Sequence, residues 1–137
     1  RWIDQGAEKA LSIVEVPNRY LAGITEVALK NHFSDKTNWR KMLTNDIAST
    51  DLITEKSKLQ KLLPEEVQDF FYLDKNDLYE MHYPVLAYPK KINSLSLDKT
   101  PNFTGILTGI KGQYLIFNDG TVFNVRSSEG YVVSLSL

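Results

Sequence analysis

The chain of 137 residues has no cysteine, no long apolar run and no large excess of charge of either sign. Without cysteine it can form no disulfide, no thiolate nucleophile and no cysteine-based zinc site, so zinc is not expected in this chain. No apolar stretch approaches the ~20 residues that a membrane helix needs, and no signal-peptide pattern is present. We therefore expect no membrane partner. The lack of cysteine fits a reducing compartment, and the expected location is the cytoplasm.

The charged residues are mixed in sign. The formal net charge of −1 argues against binding of nucleic acid through bulk electrostatics but leaves room for a local basic patch. Residues 1–80 hold 11 basic and 14 acidic side chains, whereas residues 81–137 hold 5 basic and 3 acidic ones. The hydrophobic content of 42% is normal for a protein that folds around a core.

The first 80 residues have the pattern of a helix-rich domain with one strand. Residues 10–16 alternate and are rich in β-branched side chains, which predicts the strand. Helices are predicted over residues 19–33, 37–43 and 51–63 and from Pro64 onward. Asp51 is the predicted N-cap of the third helix. Proline followed by two glutamates is typical of a first helical turn, where the backbone N–H groups have no partner.

Glu26 is the one carboxylate that the pattern singles out. The helix over residues 19–33 carries two apolar strips, which predicts packing on two sides. Glu26 lies at the margin of the second strip, near Leu29 and Phe33. A carboxylate at such a margin is partly desolvated, which makes it a candidate metal ligand or acid–base group. An ion pair with Lys30, worth about 0.2–0.5 kcal/mol, is the structural alternative.

Short strands replace helices from about residue 81. They are predicted over residues 84–88, 92–97, 103–110, 113–117, 121–125 and 131–137. The Asn-Asp-Gly at residues 118–120 is a strong hairpin signal, because Asp-Gly supplies the positive φ that a tight turn requires. Short strands separated by turn signals predict a small barrel, SH3-like as first choice and OB-like as second. The sequence therefore predicts an α+β protein with a helix-rich domain over residues 1–80 and a β-barrel module over residues 81–137.

Several segments together carry a family resemblance. They are Arg-Trp-Ile-Asp-Gln-Gly-Ala at residues 1–7, Tyr-Leu-Ala-Gly-Ile-Thr-Glu at residues 20–26, Asp-Lys-Thr-Asn-Trp at residues 35–39, and the tail segments 109–117 and 122–126. These segments resemble the bacterial family catalogued as domain of unknown function 2797. Members of that family carry, further upstream, a strand and a cysteine-rich segment similar to a zinc ribbon. Neither is in this chain, so the resemblance implies that the chain corresponds to the C-terminal part of the family.

A second resemblance, to the GIY-YIG nuclease superfamily, rests on the order of elements. In that superfamily a tyrosine-bearing hairpin precedes a functional arginine, a strand, a metal-binding glutamate and an asparagine. Here Arg1, the strand over residues 10–16, Glu26 and Asn38 occur in that order. The resemblance implies that Arg1 offsets phosphate charge, that Glu26 holds one divalent metal, Mg²⁺ or Mn²⁺, and that Asn38 positions the substrate. Because the tyrosine hairpin is not in this chain, we expect the chain to be inactive by itself.

Three kinds of function follow from these patterns. The first is a nucleic-acid-directed protein with a metal-dependent phosphodiesterase site formed by Arg1, Gln5, Glu26 and Asn38. The second is a non-enzymatic module whose C-terminal part binds RNA, DNA or protein through Lys111, Tyr114, Asn124 and Arg126, although a tyrosine at a position like that of Tyr114 is more often part of the core. The third is a scaffold in which the glycines serve turns and Arg126 forms a structural ion pair. The sequence predicts no oligomeric state.

Overall fold

The computed structural model of the chain describes residues 1–34, 36–72 and 74–136. Within these residues the fold is a mixture of helices and strands, as predicted. The helices are α1 (Arg19–Leu29), α2 (Trp39–Leu43), α3 (Leu52–Leu59) and α4 (Glu65–Gln68). The strands are β1 (Lys9–Leu11), β2 (Leu78–Glu80), β3 (Asn93–Ser94), β4 (Leu107–Lys111), β5 (Tyr114–Phe117) and β6 (Thr121–Asn124).

The chain divides into two compact units, and each unit draws on separated stretches of sequence. Unit 1 comprises Arg1–Ala7, Asn38–Ile47 and His82–Leu137, and unit 2 comprises Glu8–Thr37 and Ala48–Met81. The division into domains at residue 80 stays a prediction.

Unit 2 is built from α1, α3 and α4 around one apolar cluster, with β1 and β2 paired antiparallel beside it. The buried members of the cluster are Leu29, Leu59, Leu63, Val67 and Phe71. Asp51 caps α3 as predicted, since its carboxylate accepts the N–H groups of Ile53 and Thr54. Apolar burial of this kind supplies most of the stability of helices as short as these.

Two predictions for unit 2 need correction. The strand over residues 10–16 is not continuous: β1 ends at Leu11, and Val14 forms an isolated bridge with Phe71. The segment thus changes partner midway, from β2 to residues near Phe71. Helix α1 is not packed on two sides, because Tyr20 and Val27 are 69% and 70% exposed. Thr25 is buried on its inner face instead, where its hydroxyl donates to a carbonyl one turn earlier at 2.7 Å.

Unit 1 contains a four-stranded sheet in the order β3-β6-β5-β4. The β5–β6 hairpin is confirmed, and its turn residue Gly120 has the positive φ of +83°. Asp119 holds the turn by accepting the N–H and the hydroxyl of Thr121 at 2.8 and 2.9 Å. The core of the unit consists of Met42, Leu43, Tyr114, Ile116 and Val122, with Trp39, Val85 and Ile92 packed against it.

The predicted barrel is wrong for the described part of the chain, in which the four strands form an open sheet. Two segments that the pattern assigned to the barrel are not strands. Residues 84–88 contribute an isolated bridge between Val85 and Gly109, and residues 131–136 lie outside regular structure. An alternating apolar pattern indicates a preference for extended backbone, but a strand forms only where a neighbouring strand pairs with it. No helix within the described residues is both long and apolar enough to span a bilayer.

Candidate functional site

The segments that begin and end the family pattern meet in unit 1. The N–H of Gln113 donates to the carbonyl oxygen of Asp4 at 3.0 Å, which joins the N-terminal turn to the link between β4 and β5. Gly112, with φ of +58°, makes this approach possible. A Cβ atom at residue 112 would lie 2.3 Å from the Asp4 carbonyl oxygen, closer than any real contact. The glycine in this tail motif therefore serves close backbone packing.

The residue that follows β6 is also hydrogen-bonded to Gln113. The N–H of Val125 donates to the carbonyl oxygen of Gln113 at 3.0 Å, so the chain on both sides of Gln113 is held. The Arg126 guanidinium lies 3.8 Å from the Asp4 carboxylate, and both side chains are more than half exposed. An exposed ion pair of this length contributes about 0–1 kcal/mol and is readily exchanged for another anion.

Tyr114 and Asn124, two of the predicted binding residues, face each other across β5 and β6. The amide of Asn124 donates to the Tyr114 hydroxyl at 3.1 Å. The Tyr114 ring is 8% exposed and stacks on Trp39 with centroids 5.8 Å apart and planes 10° apart. The Arg40 guanidinium lies 4.3 Å from the centroid of Trp39. Tyr114 thus belongs to the core, where its ring has no free face for an external base.

Lys111 is also enclosed, with no exposed surface. Its ammonium lies 5.0 Å from the ring centroid of Tyr88 and 5.7 Å from that of Tyr83, within the range of cation–π attraction. The hydroxyl of Tyr83 in turn lies 2.7 Å from the carbonyl oxygen of Ala7 and donates to it. Tyr83 therefore helps to hold the N-terminal turn against the sheet, and the enclosed Lys111 beside it does not offer its ammonium to an outside ligand.

The residues of the predicted phosphodiesterase site divide between the two units. Arg1, Gln5 and Asn38 belong to unit 1, whereas Glu26 belongs to unit 2. Asn38 is the N-cap of α2, and its side-chain oxygen accepts the N–H of Lys41 at 3.2 Å. Arg1 is exposed and Gln5 is half-buried. Glu26 is exposed on α1, so the partial desolvation expected from the apolar strip is not found.

The metal expected at Glu26 lacks a set of protein ligands around it. In residues 1–34, 36–72 and 74–136 there is no group of three or more His, Cys, Asp or Glu side chains that could hold a metal ion. A single carboxylate holds Mg²⁺ only together with water and substrate phosphates. Binding of a metal ion at Glu26 therefore stays a prediction, and it would require substrate phosphates and water as further ligands.

The structure exposes an apolar and basic surface to which sequence reasoning assigned no role. Trp2, Ile3 and Val125 are 67%, 61% and 51% exposed. They are flanked in sequence by Arg1 and Arg126, both exposed. The N-terminal turn and the end of β6 are backbone neighbours, because Asp4 and Val125 both form backbone hydrogen bonds with Gln113. We call these five residues, Arg1, Trp2, Ile3, Val125 and Arg126, the Trp2 surface.

The sequence carried only a weak signal for this surface, the helical spacing of Arg1 and Gln5. The segment Arg-Trp-Ile-Asp begins a turn that is only one helical turn long, with the Gln5 N–H donating to the Arg1 carbonyl at 3.1 Å. What the sequence did not show was that Arg126 comes from the far end of the chain to the same place.

Charge separates the two units more sharply than it separates the two halves of the sequence. Unit 1 holds eight basic and five acidic side chains, and unit 2 holds eight basic and twelve acidic ones. Every basic side chain of unit 1 except Lys111 is exposed. Unit 1 is therefore a positively charged body with an exposed indole, and unit 2 is negatively charged.

The comparisons with known proteins lead to one family. No curated protein and no solved structure matches the chain. A family model described as "Protein of unknown function (DUF2797)" matches residues 1–133, nearly the whole chain. The chain belongs to this family, as the segments at its two ends indicated.

Proposed function

We propose that unit 1 is a nucleic-acid-binding module that uses the Trp2 surface. The observation that carries the proposal is the 67% exposure of Trp2 in an N-terminal turn that begins with exposed Arg1 and that pairs, through Asp4, with exposed Arg126. An exposed indole offers a face on which a base stacks, and a guanidinium pairs with phosphate or stacks on a base. No other site in the described part of unit 1 combines an exposed tryptophan with arginine.

The charge of unit 1 supports the same function. Its excess of three basic side chains attracts a polyanion, even though the chain as a whole has a net charge of −1. The ion pair between Arg126 and Asp4 does not prevent this, because it is exposed and 3.8 Å long. A phosphate can take the place of the carboxylate at little cost in free energy.

Large exposed apolar side chains also mark surfaces that bind proteins, and the Trp2 surface is no exception. Its two arginines favour an anionic ligand over an apolar one. A scaffold function needs neither the exposed indole nor the arginines. Binding of a protein partner and a purely structural role are therefore alternative outcomes of the binding test.

Metal-dependent phosphodiester cleavage is a separate proposal, which rests on the GIY-YIG resemblance alone. It needs Arg1, Glu26 and Asn38 to act on one phosphate. The side-chain oxygen of Asn38 already accepts the Lys41 N–H as the cap of α2, so it is not free to contact a phosphate-bound substrate. The structure therefore supports the cleavage proposal less than the binding proposal. The same nucleic acids incubated with Mg²⁺ or Mn²⁺ test it, with Glu26→Gln as the variant that should lose any cleavage.

The binding proposal is tested by fluorescence anisotropy with labelled RNA and DNA over a range of salt concentrations. Arg126→Gln should weaken binding and lower the salt slope by about 1, because one phosphate contact is lost. Arg19→Gln is the matched control, since Arg19 is exposed in unit 2 and its loss changes the total charge equally. Equal effects of the two substitutions, or no binding by the wild-type chain, would overturn the proposal.

A further inference from the structure

We infer that the Trp2 surface takes single-stranded nucleic acid, with an unpaired base stacked on the Trp2 indole. The inference rests on the proposed function and names its ligand class. In a duplex each base is already stacked on its neighbours and presents only its edges in the grooves. A single strand has free base faces, and stacking on an aromatic side chain uses them with any base.

The backbone that carries Trp2 is held in place while its side chain is exposed. The carbonyl oxygen of Trp2 accepts the N–H of Ala7 at 3.1 Å, and the N–H of Gly6 donates to Ile3 at 2.9 Å. The turn is anchored in unit 1 through Asp4, which accepts the Gln113 N–H. A platform whose backbone is already ordered loses little conformational entropy when a base stacks on it.

The second tryptophan does not offer such a platform. Trp39 is half-buried, and its ring already contacts Tyr114 and the Arg40 guanidinium. A base would have to displace one of these partners before it could stack. Because the chain has only two tryptophans, Trp2 is the single indole available for stacking.

The described part of unit 1 lacks the usual element for reading a duplex. Its only α-helix is α2, which has 5 residues and is about 7.5 Å long. Met42 and Leu43 of α2 are buried in the core of the unit. This leaves only Arg40 and Lys41 exposed on α2, too few residues to read base edges along a major groove.

The two tryptophans make a direct test possible. In Trp39→Phe the only indole is Trp2, and phenylalanine keeps an aromatic ring beside Tyr114. We would titrate this variant with an unlabelled oligothymidine and an oligouridine of about 16 nucleotides, the upper site size of a small binding fold. An abasic strand of the same length and charge and a duplex of the same length are the controls.

Quenching of Trp2 fluorescence by the two oligonucleotides, and not by the abasic strand, is the expected result. In the wild-type background, Trp2→Ala should weaken single-strand binding about 5- to 150-fold, the range that corresponds to loss of one stacked base. It should leave duplex binding almost unchanged. A preference for oligouridine over oligothymidine would identify RNA as the source of the single strand, and the reverse preference DNA.

The test separates failure of the inference from failure of the proposed function. Equal affinity for duplex and single strand, or binding without quenching of Trp2, would overturn the single-strand inference while binding itself stands. No binding to any probe would overturn both. Because Trp2 is 67% exposed, Trp2→Ala should fold normally, and an unchanged circular dichroism spectrum with unaltered duplex binding shows that it has done so.

Discussion

The backbone N–H of Gln113 and the carbonyl oxygen of Asp4, 109 positions apart in the sequence, form a hydrogen bond of 3.0 Å in unit 1. This bond brings the first residues of the chain to the β4–β5 link. Through it, an arginine from each end of the chain is placed on the Trp2 surface. The bond needs Gly112 beside it, because any side chain there would meet the same carbonyl oxygen.

Gly112→Ala should therefore lower the free energy of unfolding and weaken binding at the Trp2 surface together. Its φ of +58° disfavours alanine, and the added Cβ would lie 2.3 Å from the Asp4 carbonyl oxygen. We expect a loss of more than about 1–3 kcal/mol, the usual cost of strained backbone alone. Urea denaturation measures the loss. The control is Gly130→Ala, which has a φ of +94° but no atom within 4 Å of the added Cβ, so equal losses would contradict the steric argument.

Asn38 allows a capping role to be separated from a chemical one. Asn38→Ala removes the acceptor of the Lys41 N–H and should cost about 1 kcal/mol of stability. Asn38→Ser restores a capping oxygen and should recover most of this loss. If Asn38 only caps α2, nucleic-acid binding and any cleavage recover with stability in the serine variant. Normal stability with lost cleavage in that variant would instead show that the amide acts on substrate.

Burial of Lys56 should make the free energy of unfolding depend on pH in the alkaline range. Its side chain is 4% exposed, and its ammonium donates to the Lys75 carbonyl at 2.6 Å. Burial lowers the pKa of Lys56 from the ordinary value of 10.5, and Asp77 offsets this in part. The unfolded chain then binds more protons than the folded chain over the pH range between the lowered pKa and 10.5.

The free energy of unfolding of the wild type, relative to that of Lys56→Met, should accordingly rise as pH increases through that range. This added stability should be lost as pH falls through the lowered pKa of Lys56. Thermal unfolding of both proteins at several alkaline pH values measures the difference. Lys61→Met, at an exposed site of unit 2, is the control. A pH dependence of equal size for the two variants would show that burial of Lys56 is not its cause.

Asp51 should act at the opposite end of the pH scale. Its carboxylate accepts the hydroxyl and N–H of Thr54, and these hydrogen bonds lower the pKa of Asp51 below 3.8. The stability that the charged cap contributes is therefore present above pH 3.8 and lost as pH falls through the lowered pKa. The wild type should be more stable than Asp51→Asn at neutral pH, and the difference should shrink on acidification. A difference independent of pH, measured by urea denaturation, would contradict the role of the charge.

Local signals predicted individual elements well. Helices α1 to α4 begin within two residues of the predicted positions, although α1 ends at Leu29 and α3 at Leu59, four residues earlier than predicted. Asp51 caps α3 as its side chain and position indicated. The Asp-Gly at residues 119–120 forms the predicted hairpin turn. These features depend on contacts between residues a few positions apart, which a sequence pattern states directly.

Pairing and exposure were predicted less well. The alternation of residues 131–137 indicates an extended backbone, yet its described part, residues 131–136, joins no sheet. Two apolar strips on α1 predicted packing on both sides, yet Tyr20 and Val27 of the first strip are exposed. An apolar side chain becomes buried only where another element covers it, and the neighbours of α1 are chosen by contacts across the whole unit.

The sequence by itself determined the family, the mixture of helices and strands, and the turns and caps, because each of these depends on residue types at short spacing. The tertiary structure alone decided which distant residues meet. It brought Arg126 and Val125 to the N-terminal turn, enclosed Lys111 and Tyr114, and left Trp2 exposed. The physical reason is that hydrogen bonds across a long loop and burial against a distant element depend on the packing of the complete unit, which no local pattern contains.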